Sequence, residues 1–311
     1  MEQLKRALIV LVVLVAGAAA LIGWQVGRFL GPERTLPDLH PSEFMVPSQD
    51  VEFAAIDGVP LRGWLLTGRR GAPAILLCHD LGANRAALMN LALPLRKAGY
   101  HILLFDFRAH GDSGGSRSTL GIDEALDVLG AMEFLAGQSS IDSSRIGGWG
   151  KGIGAYALVM AALDSDKLRA LALDGLFPDP QFAIGESLYA DAGPLREPLA
   201  WLAGKSFLWL FGPGSPHPPA ASALILLGDR NLFFVVAREN ERQALLAREL
   251  LEVVPEEADT EKNLLELEAA WSRNLYGEDR ARYEDNVRKF FLRTLPPRPT
   301  PSAGKIDLLE G

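Results

Sequence analysis

The chain has 311 residues, 48% hydrophobic and 23% charged, a globular rather than a disordered balance. Lys and Arg number 31 against 39 Asp and Glu, and a formal net charge of -8 argues against a sequence-independent nucleic-acid binder. A single cysteine excludes an intrachain disulfide framework and a Cys-rich zinc module.

In chain order, a short N-terminus with Lys5 and Arg6 (1–6) precedes an uncharged run from Ala7 to Gly27. As a helix its 21 residues rise about 31 Å, the hydrocarbon thickness of a bilayer. The reading is a transmembrane signal-anchor over 7–27. The alternative is a cleavable signal with an apolar core Ala7–Val15 and an Ala-x-Ala site near Ala16–Ala20. Lys5 and Arg6 place the N-terminus in the cytoplasm and the main domain outside the cytoplasmic membrane, periplasmic or external. A connector over 28–48, with four prolines between Gly31 and Ser48, reads as a spacer.

Val51–Ile56, Asp57-Gly58 and Val59–Leu66 read as a hairpin, the glycine supplying the positive φ of the turn. Continuous apolar runs follow at Ala74–Cys78, Ile102–Phe105, Arg145–Trp149, Leu168–Leu173 and Ala223–Leu227. Each has the character of a strand buried on both faces. Helical patterns lie between them, near 88–99, 123–135 and 155–163, and again at Val235–Leu250, Asn263–Asn274 and Arg280–Leu295. Strands alternating with helices predict an α/β domain over 49–295 with a mostly parallel sheet and ligands at its carboxyl edge. A cap is expected over 177–220. Within it, Pro198–Gly212 carries Trp201, Phe207, Trp209 and Phe211, which read as a short helical cap or as an apolar patch for membrane or a protein partner. A flexible tail is expected over 296–311.

Three motifs stand after predicted strands: Cys78-His79-Asp80-Leu81-Gly82, Phe105-Asp106-Phe107-Arg108-Ala109-His110-Gly111-Asp112-Ser113-Gly114, and Gly121-x-x-Glu124-x-x-Asp127. In these the chain resembles the α/β-hydrolase superfamily, nearest to serine esterase and aminopeptidase-like members. The resemblance implies an eight-stranded, mostly parallel sheet and a Ser–acid–His triad. The Gly-x-Ser-x-Gly nucleophile elbow corresponds to Gly150-Lys151-Gly152-Ile153-Gly154, whose centre has no side chain. The acid position corresponds to Asn231 in Leu227-Gly228-Asp229-Arg230-Asn231. The base position falls at Asp259, and no histidine follows His217. Backbone donors at Leu81 and Ile153 remain for an oxyanion.

Acyl transfer needs a nucleophile, a base and a group that orients the base. The reading is therefore a pseudo-hydrolase, membrane-anchored, with a binding or accessory-subunit role, no catalytic residue, no cofactor and no metal. The alternatives are an active hydrolase of esters or peptides with a non-standard nucleophile, or a metal-dependent hydrolase built from His79, Asp80, Asp106, His110 and Asp112. His79, Asp80, His110 and Lys151 are the candidate polar residues of the pocket. Ser113 reads as a loop residue, Cys78 as core, and Asp174 and Asp229 as carboxylates near the site without a histidine partner. The acidic segment Glu249–Glu261 reads as solvated surface or as a surface for a cationic partner.

Overall fold

A computed structural model describes residues 1–189, 191–211, 218–238, 241–254, 263–267 and 277–297. The chain opens with helix α1 (Glu2–Phe29). The hairpin follows as strands β1 (Ser48–Ala54) and β2 (Pro60–Leu66), paired antiparallel around Asp57-Gly58. Then come β3 (Ala72–Cys78), helix α2 (Met89–Ala98), β4 (His101–Phe105), α3 (Glu124–Ala136), β5 (Ile141–Lys151), α4 (Ile153–Leu163) and β6 (Leu168–Asp174). Helices α5 (Pro180–Tyr189) and α6 (Arg196–Phe211) form the cap. They are followed by α7 (Ala220–Leu226), β7 (Asn231–Ala237), α8 (Glu241–Glu252), β8 (Leu264–Leu267) and α9 (Gly277–Thr294).

The eight strands form one sheet in the order β1-β2-β4-β3-β5-β6-β7-β8, parallel from β4 to β8 and antiparallel at β1, β2 and β4. Successive strand residues feed opposite layers, which is why these strands read as continuous apolar runs. Leu76, Cys78, Leu103, Phe105, Leu171 and Leu173 pack toward α3, α4 and the cap. Ile75, Leu77, Ile102, Leu104, Ala170 and Ala172 pack toward α2 and α9.

Two sequence expectations fail at the C-terminal side. Ala223–Leu227 is not a strand: it lies in and just after α7, where burial of Ala220, Ala223 and Leu224 with exposure of Ile225 and Leu226 follows helical spacing. The strand is the β-branched and aromatic run after it, β7, which takes Val235–Ala237 out of the predicted helix. Asn263–Asn274 reads as helical, yet Leu264–Leu267 pairs with β7 as an edge strand, its burial alternating with period two. The tail from 298 and the segment around Asp259 lie outside the described residues.

Helix α1 is long and apolar enough to cross a membrane by length and composition. Its last third is built into the domain: Ile22, Val26 and Leu30 are buried in the same core as α3, α4 and the cap. Gln25 Oε1 accepts from the Tyr189 hydroxyl at 3.1 Å, and Leu30 O accepts from Ser118 N at 2.7 Å. In the connector, the Arg34 guanidinium donates to the carbonyls of Ser113 and Gly115.

The loop after β4 is fixed by a buried cation. Arg108 donates from Nε and Nη2 to Asp127 Oδ1, at 2.9 and 2.7 Å, and grips Asp57 with both terminal nitrogens at 2.8 and 2.9 Å. Burial pushes the Asp127 carboxyl up to about 7 against the pull of Arg108. Removing the cation strands that carboxylate in the core. Arg108→Ala is expected to cost about 3–5 kcal/mol, read from the urea midpoint; a loss below about 1 kcal/mol would remove this pair from the determinants of the fold.

Candidate functional site

At the carboxyl edge of the sheet, β5 turns into α4 at Gly152, whose φ of 51° and ψ of -112° lie in a region open to glycine and strained for other residues. The flanking glycines are required by packing. A Cβ on Gly154 would press into the Cys78 carbonyl, and one on Gly150 would press into the backbone of Gly154. Helix α4 therefore starts hard against β3, and its first amides point into the edge of the sheet. Gly152 N donates to Asp174 O at 2.9 Å, which ties the turn to the end of β6.

The space beside Gly152 is filled by Asp80, which leaves the end of β3. Its Oδ1 accepts from Leu81 N at 2.8 Å and from Ile153 N at 3.3 Å. These are the two backbone donors that the sequence assigns to an oxyanion. A Cβ built on Gly152 would overlap the same Oδ1. Burial raises the Asp80 carboxyl above the usual aspartate range, while the Lys151 charge and the Leu81 and Ile153 amides pull it back.

A second carboxylate, Asp174, ends β6. Its Oδ2 accepts from the Tyr283 hydroxyl at 3.0 Å, and that hydroxyl accepts from Trp149 Nε1 at 2.8 Å. Burial, with a smaller push from Asp80, lifts Asp174 to about 6 despite Lys151 and Tyr283. Lys151 thus acts on both carboxyls. Asp174 stood out in the sequence, but Trp149 and Tyr283 did not: they lie in an apolar strand and on a distant helix, with no local signal.

The two histidines brace loops. His79 Nε2 accepts from Phe107 N at 3.0 Å, which leaves Nδ1 to donate to Asp80 O at 2.8 Å. His110 repeats the pattern, Nε2 accepting from Gly82 N at 3.1 Å and Nδ1 donating to Arg108 O at 2.8 Å. The rings stand 4.9 Å apart. Burial, reinforced by the neighbouring His110, drives His79 down to about 3, and burial lowers His110 as well. Both imidazoles are neutral, with each ring nitrogen spent on backbone. Asp106 takes the Arg85 amide at 2.7 Å and the Arg85 guanidinium, which also reaches Asp112 at 2.7 Å. Arg85 thus occupies two of the three carboxylates considered for a metal, Asp106 and Asp112. Ser113 accepts from Arg62 N and donates to Asp106 O, at 2.9 and 2.6 Å, and is a loop brace.

The site residues named from sequence therefore divide. His79, Asp80, Leu81, His110, Lys151, Gly152 and Ile153 meet at one edge. Asn231 does not: it opens β7 level with Ala170, at the amino edge of the sheet. The register is displaced because the late strand is β7 and not Ala223–Leu227; the carboxyl-edge turn after it begins at Arg238. Asp259 and His217 fall outside the described residues.

Residues 65–179 match the family model of the X-Pro dipeptidyl-peptidases (S15 family). The polyketide transferase ATR5 of Stachybotrys chlorohalonatus is 34% identical over 168 residues, 52% of this chain and 56% of that protein. A thiohydrolase of Eupenicillium brefeldianum is 31% identical over 147 residues, 45% of this chain and 48% of that one. The chain thus spans about half the length of these curated relatives. Among solved structures, the Pyrococcus furiosus esterase Pf2001 superposes with a TM-score of 0.66 at 24% identity, covering 86% of this chain and 99% of the esterase. Sheet order, a glycine-flanked strand-to-helix turn and these matches agree: the chain has the α/β-hydrolase fold.

Proposed function

We propose that this chain is a membrane-anchored α/β-hydrolase-fold protein that has given up ester chemistry and serves as a binding or accessory subunit. The observation that carries this reading is the Asp80 carboxylate, lodged on the Leu81 and Ile153 amides beside a glycine elbow. An oxyanion hole accelerates acyl transfer because its donors wait unfilled for charge that develops in the transition state. Donors that already hold a carboxylate cannot do so, and Gly152 offers nothing to attack with. Loss of a triad costs on the order of 10⁶ in turnover even where an oxyanion hole persists. His79 and His110, at the same edge as the elbow, are neutral but have no free nitrogen to act as a base.

A second reading, an active hydrolase with a non-standard nucleophile, has one residue to rest on, Asp80 at the point of attack. The two readings separate with the purified full chain. No fluorophosphonate labelling and no turnover of p-nitrophenyl esters or thioesters above background are expected. Ester or thioester turnover that disappears in Asp80→Asn would overturn the binding reading in favour of the second.

Gly152 and Asp80 are coupled in this reading, each excluding the side chain that the other would need. Gly152→Ser is expected to destabilise through elbow strain of about 1–3 kcal/mol and through collision with Asp80. In an Asp80→Gly background only the strain remains. A double-mutant cycle by thermal unfolding should give a favourable coupling of about 0.5–3 kcal/mol; strictly additive losses would dissociate the two positions.

Anchoring by α1 is supported by its length and apolar composition, which continue past Ala20 through Leu21, Ile22 and Val26. The main domain then stands outside the cytoplasmic membrane, with Lys5 and Arg6 inside. The mature protein should keep its N-terminus and resist alkaline carbonate extraction. A mature chain that starts after Ala20 by mass spectrometry would refute retention.

A further inference from the structure

If α1 is a retained anchor, its packing leaves too little of it for the membrane. The uncharged run Ala7–Gly27 matches the hydrocarbon thickness only when counted whole. From Ile22 onward, however, one side of the helix is buried in the domain. The part before it, Ala7–Leu21, rises only about 22 Å, against roughly 30 Å of hydrocarbon. A bilayer meets a shortfall of this size by thinning, or the protein meets it by sinking whatever flanks the helix into the interface. What flanks the helix here is α6, which packs on α1.

The outward face of α6 suits that position. Its inner side, Ala203 and Phe207, belongs to the core that receives Val26 and Leu30. Its outer side carries Trp201, Lys205, Leu208 and Trp209, one stripe at helical spacing, with the two tryptophans 63% and 83% exposed. Both sides of the helix are thus apolar, and only one is used by the fold. Lys205 is the one charge on the stripe, its Nζ 5.8 Å from the Trp201 ring centre. The neighbouring carboxylates of α5 and α6, Glu186 and Glu197, are held by Arg196 and Arg242. The same pairing recurs on α1, where Arg28 lies 5.7 Å from the Trp24 ring centre. A cleft of about 330 Å³ opens at that level, lined by Trp24, Gln25, Arg28, Phe29 and Leu188. Tryptophan faces with a cation beside them, on two adjacent helices, are the chemistry of a headgroup boundary.

We propose that the outer face of α6 lies in the interface of the membrane that α1 enters, with Trp201, Leu208 and Trp209 at the acyl boundary and Lys205 and Arg28 at lipid phosphates. The proposal rests on the anchor reading but can fail without it. The occupant is a phospholipid bilayer rather than a second copy or a protein partner.

The native thiol, Cys78, is buried, so single introduced cysteines can be spin-labelled on the full chain. The variants are Trp201→Cys, Lys205→Cys and Trp209→Cys, with Val12→Cys on α1 and Leu245→Cys on the exposed side of α8 as references. Each is reconstituted in phosphatidylcholine–phosphatidylglycerol vesicles and probed with dissolved oxygen and a water-soluble nickel chelate. Labels at 201 and 209 should collide with oxygen in preference to nickel, as at 12, while 245 shows the reverse. Nickel-accessible 201, 205 and 209 with a lipid-exposed 12 would overturn the docking of α6 and leave the anchor standing. A nickel-accessible 12 would overturn the anchor itself, and with it this proposal. Shielding of 201 and 209 from both reagents would assign the face to a second copy or a protein partner and overturn it too.

Discussion

The first amides of a helix have no partners within the helix, and where α4 begins they are aimed into the carboxyl edge of a sheet. In a hydrolase such donors are held for an oxyanion that exists only during reaction. Here the chain supplies its own anion. Asp80 Oδ1 bridges Leu81 N and Ile153 N, which joins the loop after β3 to the start of α4. That bridge and the glycine at 152 exclude alternatives together: a side chain at 152 would displace the carboxylate, and the carboxylate denies space to a side chain at 152. Glycine also relieves the strain that a positive φ would impose on any other residue. Asp80 and Gly152 form one local solution, in which the Leu81 and Ile153 amides are satisfied.

Around this bridge the scaffold of the edge is kept. His79 and His110 join the loops after β3 and β4 through four backbone contacts, which requires both rings to stay neutral. Arg85 holds Asp106 and Asp112, and Arg108 holds Asp57 and Asp127, so the loop between β4 and α3 is fixed by two buried cations. The chain Trp149–Tyr283–Asp174 pins α9 to the ends of β5 and β6. These elements hold loops in place whether or not chemistry follows, so an edge can keep its shape after its reaction is lost. Asp174 and Asp80 show where the cost of that shape falls: burial raises both carboxyls, and Lys151 pulls both back.

How much of this was readable in advance varies with the range of the interaction. The β1–β2 hairpin was legible from its Asp57-Gly58 turn, the strands from β3 to β6 because burial on both faces leaves apolar runs, and the elbow because its glycines are forced by contact between α4 and β3. Failures begin where a short apolar run fits either element. Ala223–Leu227 and Leu232–Ala237 are both apolar, and only the β-branched content of the second, with its pairing to β6, separates them. That slip set the expected acid position at Asn231, which opens β7 at the amino edge of the sheet. Asp80 was visible as an anomaly, yet its role was not, because the Ile153 amide is 73 residues away and no local pattern encodes it. Tyr283 is harder still: its hydroxyl has meaning only once α9 lies across the end of β6.

The N-terminal helix raises a question of energy rather than of sequence. A tether that only localises a domain can join it through a flexible linker, and orientation then averages out. In this chain the helix enters the core. Val26 and Leu30 are fully buried with Ile22 nearly so, and the cap that receives them continues through Phe177, stacked on Tyr156, to the helix that starts at Gly152. Burying one large aliphatic side chain is worth about 1.5–3 kcal/mol, so undocking all three costs a large fraction of the roughly 5–15 kcal/mol that stabilises a domain. The orientation of the domain on its helix is therefore a property of the folded state, held about as firmly as the core itself. The placement of the cap is thus set in part by α1, through the shared core of Ile22, Val26, Leu30, Ala203 and Phe207.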